Sequence, residues 1–445
     1  MSATEATPPN IIKPWLLPPQ RAYAFTNANV VDVEAGKIIP NATVKISNGI
    51  TESITSSTTS PILPSPNDYT EIDLQGRYLC PGLFDCHVHI ASTPGSANIA
   101  ASFATDHKIS HFRQPYLVGQ MLSRGFTSVR DCGGASLALK EAINDDVFPG
   151  PRLFIANKGL SQTGGHGDAR GAHEVERCCG DTSMTETFDG VPAALKSART
   201  QIRLGADFIK IMASGGVASP TDKLEGVQFT NDEVRAIAEV ARNNGTYVTA
   251  HAYTSAAVRQ AVENGVMGIE HGNLIDEATM KLLAERGCWL TPTLASYEAY
   301  ASKRYAGFLP PANAEKNARV LQLGIESLKM AAKVGVKICH GSDLMGPLHH
   351  EQSREFAIRG GLLSSLEVLR SATVIPAAMM GQEAFLGQIK EGFAADMLIL
   401  DKNPLQDVAI LSDPKANIKA VIKNGRVYAS RWNGIEVDVE QPARL

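Results

Sequence analysis

Two histidines with a single residue between them, His87 and His89, close the apolar run Leu83-Phe84-Asp85-Cys86-His87-Val88-His89. Three more metal-ligating side chains close other apolar runs: His251 after Tyr247-Val248-Thr249-Ala250, His271 after Met267-Gly268-Ile269-Glu270, and Asp343 after the run that begins at Val336. Residues i and i+2 of a strand face the same way, so the His87 and His89 imidazoles project together while Cys86 and Val88 point oppositely, towards covering helices. Two convergent neutral imidazoles make half of a metal site. His251 and His271 add two more from successive strands, and Asp343 adds an anionic oxygen. A lone histidine in such a place reads as a hydrogen-bonded core residue; five ligand-type side chains at strand ends point to a metal centre.

Lys210 extends the set. It sits inside the otherwise apolar run Phe208-Ile209-Lys210-Ile211-Met212, where an unpaired ammonium is costly. A cation there would also repel divalent metals, whereas reaction of the amine with CO2 gives a carbamate whose two oxygens can bridge two ions. Burial favours the neutral amine that this reaction consumes. The alternative is a structural lysine reaching a loop carboxylate such as Asp222 or Glu225.

These residues need a scaffold that brings many strand ends together. Apolar strand-like runs alternate with amphipathic helical segments about eight times, the strands ending near His89, Gly133, Ser161, Gly215, Tyr253, Gly272, Thr293 and Asp343. That alternation predicts an α/β fold with a parallel sheet closed as a (β/α)8 TIM barrel over residues 82–386. Thr230-Asn231-Asp232-Glu233 and Ser364-Ser365-Leu366-Glu367 are capping boxes placed where such a barrel needs helix starts. Short β-like runs on both flanks, residues 23–81 and 387–445, predict a small β-sandwich domain, with 1–22 as an amino-terminal extension. Residues 51–68, rich in Ser, Thr and Pro, read as a surface loop. Two βα connections are long, 164–190 and 294–311, and in a barrel they rise over the active mouth. His166, Asp168, Arg170 and His173 on the first, and Tyr297, Tyr300, Tyr305 and Phe308 on the second, are candidate cavity walls.

Composition narrows the class. The 445 residues are 44% hydrophobic and 20% charged, with 42 basic against 46 acidic side chains and a formal charge of −4, so nothing favours nucleic acid or an anionic membrane. No run is long and apolar enough to cross a bilayer, and the polar, proline-rich start lacks a signal-peptide pattern, which makes a cytoplasmic location the expectation. The seven cysteines, Cys80, Cys86, Cys132, Cys178, Cys179, Cys288 and Cys339, form no CxxC pair and read as free thiols.

The chain resembles the amidohydrolase superfamily through Pro81-Gly82-Leu83-Phe84-Asp85-Cys86-His87-Val88-His89, Gly341-Ser342-Asp343 and Glu391-Gly392-Phe393-Ala394-Ala395-Asp396. The stretches 160–168 and 209–217 are similar to the branch that holds imidazolonepropionase-like enzymes, metal-dependent prolidase-type dipeptidases and fungal ochratoxinase. The resemblance implies that His87 and His89 hold a first ion with Asp343, that His251 and His271 hold a second, and that carboxylated Lys210 bridges them, zinc being the expected metal. It implies a metal-bridging hydroxide as nucleophile and makes Asp343, Lys210 and His271 the catalytic residues, with Asp343 taking a proton and delivering it to the leaving amine. His166 and Tyr253 resemble positions that hold the substrate carbonyl or carboxylate. The expected substrate is a small-molecule amide joining an acyl group to an amino acid: a dipeptide, an N-acyl amino acid or an ochratoxin-like aryl amide. A cyclic amide or imidazolone hydrolase is the alternative. A mononuclear deaminase fits less well because that type lacks the strand lysine, and a catalytically silent scaffold would be expected to have lost a ligand. By analogy the protein is expected to be a homo-oligomer.

His350, with His349, follows Asp343 and is taken as a substrate contact. His340 lies at odd spacing from Asp343 and should point away from it. His107 and His111 read as surface residues. Arg170 and Arg354 are candidate carboxylate clamps, because guanidinium pairs a carboxylate in bidentate fashion.

Overall fold

Asn48 and Gly49 adopt φ of 48° and 80°, the left-handed pair that closes a two-residue hairpin. Ile50–Ser56 therefore folds back on Lys37–Ser47, with Ile50 opposite Ser47. This corrects the reading of 51–68 as loop from its start: the Asn-Gly turn outweighs the polar composition, and Thr51 to Ser56 is strand. The computed structural model describes residues 12–56, 68–171, 173, 184–219 and 222–439, so Cys178, Cys179 and the rest of the polar stretch lie outside the described residues.

Both flanks join one hydrogen-bonded sheet of eight strands. Its order runs Arg426–Ser430, Ile418–Lys423, Met397–Leu400, Tyr78–Pro81, Ala22–Asp32, Lys37–Ser47 and Ile50–Ser56, with Tyr69–Asp73 pairing Ala22–Asp32 from the side. Strand alternation divides its residues between two cores. Phe25, Val44, Met397 and Ile422 pack among themselves. Cys80, Leu398, Leu400 and Val421 pack against Leu117, Met121 and Phe126 of the central unit.

The central unit is α/β and parallel. Leu83–Val88, Phe126–Asp131 and Arg152–Ile155 form a three-stranded sheet, and Thr185–Thr187, Gly159–Ser161, Ile209–Met212, Val248–Thr254, Gly268–Leu274, Trp289–Thr291 and Lys337–Ile338 a seven-stranded one. Hydrogen bonds tie the two sheets together: Asp207 N–H donates to the Ile155 carbonyl at 2.8 Å, and Cys86 N–H to the His340 carbonyl at 2.7 Å. Helices including Asn231–Asn243, Ser255–Glu263, Glu277–Glu285 and Ala314–Val334 cover the outer face with Val234, Val258, Leu283 and Leu328. Both capping boxes form at Thr230 and Ser364.

One orientation differs from strict alternation. Cys86 packs with Phe84, Phe154 and Cys339, away from the helix-side cluster that takes Val88. The strand register shifts between Asp85 and Val88, so Cys86 and His87 are not held to opposite faces.

His340 does turn away from the metal-type residues. Its ring stacks on Phe356 with centroids 4.4 Å apart, and neither ring nitrogen has a hydrogen-bond partner among the described residues. Burial, reinforced by Arg359, holds it well below the ordinary histidine range, and burial with Arg124 lowers His349 to about 3. Both are neutral when folded and take up a proton on unfolding below pH ~6.5. Their contribution to stability is thus full above that pH and is lost as pH falls through it, by up to about 1.4 kcal/mol per pH unit for each. Urea midpoints should drop between pH 7 and 5, and His340→Leu should flatten that slope; an unchanged slope would refute the assignment.

Candidate metal centre

The Gly341-Ser342-Asp343 segment is fastened to the first central strand. Asp85 accepts hydrogen bonds from Ser342 N–H at 3.0 Å and Ser342 Oγ at 2.6 Å, and Asp343 N–H donates to the His87 carbonyl at 2.8 Å. A side chain at Gly341 would meet Thr291 Cγ2 at 2.4 Å and His87 Cβ at 3.0 Å, so this close approach requires glycine.

This brings three ligand atoms together. His87 Nε2 and His89 Nε2 are 3.3 Å apart, and Asp343 Oδ1 lies 3.4 Å from the first and 3.3 Å from the second. Tetrahedral ligands about 2.0–2.1 Å from a zinc ion are separated by about 3.3–3.4 Å. The triangle fits such an ion in size and donor type.

The four histidines share a further property. His87 Nδ1 meets Glu270 Oε2 at 2.8 Å, His89 Nδ1 the Gly133 carbonyl at 3.0 Å, His251 Nε2 the Gly215 carbonyl at 3.2 Å, and His271 Nδ1 Thr293 Oγ1 at 2.7 Å. In each ring one nitrogen is engaged by the protein and the other is left for a ligand, as metal-binding imidazoles require. Burial lowers His87 to about 4 and takes His251 and His271 well below the usual range, which favours the neutral form that binds metal. Burial opposes protonation of His89 too, but Asp343 beside it raises its pKa. The His251 and His271 rings are 4.6 Å apart. Lys210 is 1% exposed and lines the same cavity. Among the described residues it has neither an ion pair nor a side-chain hydrogen bond. The carboxylates of the alternative reading are taken: Glu225 pairs with Arg319 at 2.8 Å, and Asp222 meets Ser219, Gln228 and His166.

A second cluster of ligand-type atoms, His87, Cys132 and Glu270, suits a metal less well. Burial raises the Cys132 thiol far above its ordinary pKa, and thiolate is the binding form. Glu270 is already held by Arg130, whose Nη2 lies 2.5 Å from Oε1. Burial would raise the Glu270 carboxyl, but Arg130 and His87 together keep it well below the usual carboxylate range.

The candidate ligands line one cavity, which opens to solvent. His166 stacks on His251 at 4.0 Å, in space that a Cβ on Gly216 would occupy, 2.0 Å from its Cε1. Tyr253 stacks on His271 and shares a 2.7 Å hydroxyl contact with Tyr297. Both long connections reach the cavity, through His166, Met184 and Thr185 on one and Tyr297 and Tyr300 on the other. Tyr305 and Phe308 do not line it, and His173 is exposed.

His350 is a correction: it is exposed and outside the cavity lining. The helical turn Gly346–Glu351 sends neighbouring side chains to different faces and turns His349 inward instead, its Nε2 3.0 Å from the Ser92 carbonyl. Neither arginine clamp lines the cavity. Arg170 pairs with Asp168 at 2.5 Å and Arg354 with Glu298 at 2.8 Å.

The amidohydrolase family profile matches residues 78–428, and the chain belongs to that family, as a hydrolase of amide bonds. It is 33% identical over 365 residues to ochratoxinase of Aspergillus niger, covering 79% of this chain and 75% of that one. Among solved structures, a prolidase complexed with N-methylphosphonate-L-proline is 40% identical, with a TM-score of 0.87 over 92% of this chain and 100% of that one. A Xaa-Pro dipeptidase with methionine in its active site is 27% identical, with a TM-score of 0.81 over 92% of this chain and 100% of the other. These relatives and the parallel sheets place the fold in the TIM-barrel α/β type.

Proposed function

We propose that this protein is a binuclear-metal amide hydrolase that cleaves the bond joining an acyl group to an amino acid, in a dipeptide, an N-acyl amino acid or an ochratoxin-like aryl amide. The observation that carries the reading is the zinc-sized triangle of His87 Nε2, His89 Nε2 and Asp343 Oδ1 beside a buried Lys210 with no ion-pair partner among the described residues. In this reading the two parallel sheets close as one (β/α)8 barrel, and the flanks fold over their own core as a sandwich. His87, His89 and Asp343 would hold one divalent ion and His251 and His271 a second, with carboxylated Lys210 as a ligand shared between them. Zinc suits this mixture of imidazole and carboxylate.

Two ions bound there would supply hydroxide at neutral pH and polarise the scissile carbonyl. The protein's own groups do the rest. Asp343 accepts a proton on its carboxylate and returns it to the leaving amine nitrogen. His166 and Tyr253, stacked on His251 and His271, face the substrate's carbonyl or carboxylate. Phe103, Met184, Met345 and Tyr300 give the cavity an apolar wall that suits a hydrophobic side chain or an aryl group.

The test is mass-spectrometric detection of amino acid released by zinc-loaded protein from a panel of dipeptides, N-acyl amino acids and ochratoxin A. Release with an apolar preference is expected. No release by protein shown to carry zinc, with turnover of a cyclic amide instead, would overturn the reading.

A further inference from the structure

Glu270 sits at the centre of a buried hydrogen-bond chain that ends on a candidate metal ligand. Its two oxygens have separate duties. Oε1 accepts from Arg130 Nη2 at 2.5 Å and from the Thr249 hydroxyl, while Oε2 faces His87 Nδ1 at 2.8 Å. Arg130 and Glu270 are both 0% exposed. The guanidinium is fixed from several sides: its Nε donates to the Cys86 carbonyl at 2.6 Å, its Nη1 meets the Tyr247 hydroxyl at 3.3 Å, and its plane lies over the Phe208 ring at 5.0 Å.

We propose that Arg130 and Glu270 are positioning residues that fix the tautomer of His87, holding the proton on Nδ1 so that the Nε2 lone pair is always presented to the ion. The proposal rests on the metal-centre reading above and concerns how one ligand is made ready. A guanidinium has donors only, so the group opposite Arg130 Nη2 must be an acceptor. A carboxylate then has its second oxygen free to accept from His87 Nδ1–H. The imidazole keeps one proton, Nε2 keeps its lone pair, and that lone pair points at His89 Nε2 and Asp343 Oδ1.

The arrangement makes a pointed prediction for Glu270→Gln, a change of nearly equal size and shape. The new amide must turn its oxygen to Arg130 and Thr249, which leaves its NH2 facing His87. That NH2 donates to Nδ1, the imidazole proton moves to Nε2, and the metal-binding lone pair is lost. If Arg130 is removed as well, in Arg130→Leu/Glu270→Gln, nothing forces the amide orientation. Its oxygen can then accept from His87 Nδ1–H while its NH2 donates to the Thr249 hydroxyl.

Two readouts test this. In metal-free, histidine-labelled protein the 15N shifts of His87 report which nitrogen carries the proton, a readout that needs no bound ion. Nδ1–H is expected in the wild type, Nε2–H in Glu270→Gln and Nδ1–H again in the double variant. In parallel, chelator competition should show zinc affinity falling roughly 10–100-fold in Glu270→Gln and recovering in the double variant. An unchanged tautomer in Glu270→Gln overturns the proposal, as does a double variant as poor as the single one, which would mean that only general disruption was being measured. A wild type with the expected tautomer but no zinc uptake would overturn the metal-centre reading and leave the relay standing.

Discussion

Lys210→Ala should lower turnover by about a thousandfold or more, equivalent to ~4 kcal/mol of transition-state stabilisation, and reduce bound metal below two ions per chain. In the proposed set the carbamate is the ligand shared by both ions, so its loss removes that ligand and the spacing it would impose on the pair. The fold should persist. Lys210 forms no ion pair or side-chain hydrogen bond among the described residues, and Ile209 and Ile211 beside it continue to pack. Lys210→Arg keeps a cation that cannot be carboxylated and should behave like alanine. Partial recovery of metal binding by the alanine variant in millimolar acetate would show a free carboxylate standing in for the missing one. Full activity with two retained ions would sink the carbamate assignment.

Arg359→Leu should be the most damaging single change to stability away from the site. Arg359 and Glu355 are both 0% exposed, with Nε 2.7 Å from Oε1. The guanidinium also donates to the Cys339 carbonyl at 3.1 Å and the Pro292 carbonyl at 2.7 Å, while Glu355 Oε2 accepts from Ala295 N–H at 2.7 Å. One side chain therefore joins the ends of two central strands to the helix Arg354–Gly360. Its removal leaves a buried carboxylate without its counter-ion, and Glu355 Oε1 and two carbonyls without that donor, a loss of roughly 3–5 kcal/mol. Thermal unfolding followed by circular dichroism should show a clear fall in midpoint for Arg359→Leu and a small one for the exposed Arg354→Leu. Equal falls would show that the network carries no special weight.

The parts of the centre legible in sequence were those that obey strand periodicity. His87 and His89 are two positions apart on one strand and bring their Nε2 atoms within 3.3 Å of each other; Lys210 announces itself as one lysine in an apolar run. Thr230 and Ser364 carry helix-start chemistry within four residues of chain. Glu270 was hidden by the same rule that exposed the pair. As the immediate neighbour of His271 it should face the opposite side of the sheet, yet both side chains turn inward, because His271 has φ of 73° and breaks the alternation. Asp343, with φ of 50°, likewise sits in a region that non-glycine residues seldom occupy. Such backbone exceptions depend on contacts remote in sequence, as does the partnership of Arg130 with Glu270. His350 failed for a simpler reason: a short helical turn, unlike a strand, gives adjacent histidines different neighbours.

The flanking sheet places Tyr78–Pro81 beside Met397–Leu400, Cys80 opposite Leu398. During synthesis the earlier strand leaves the ribosome more than 300 residues before its neighbour exists. At roughly 5–20 residues per second that wait is on the order of 15–60 s. Throughout it the nascent chain carries an unpaired strand edge, open to any β-segment nearby. The central unit can assemble in that time from elements already emerged, so the order of manufacture casts the carboxyl-terminal flank as a clasp, shut last, and makes carboxyl-terminal truncation a route to aggregation.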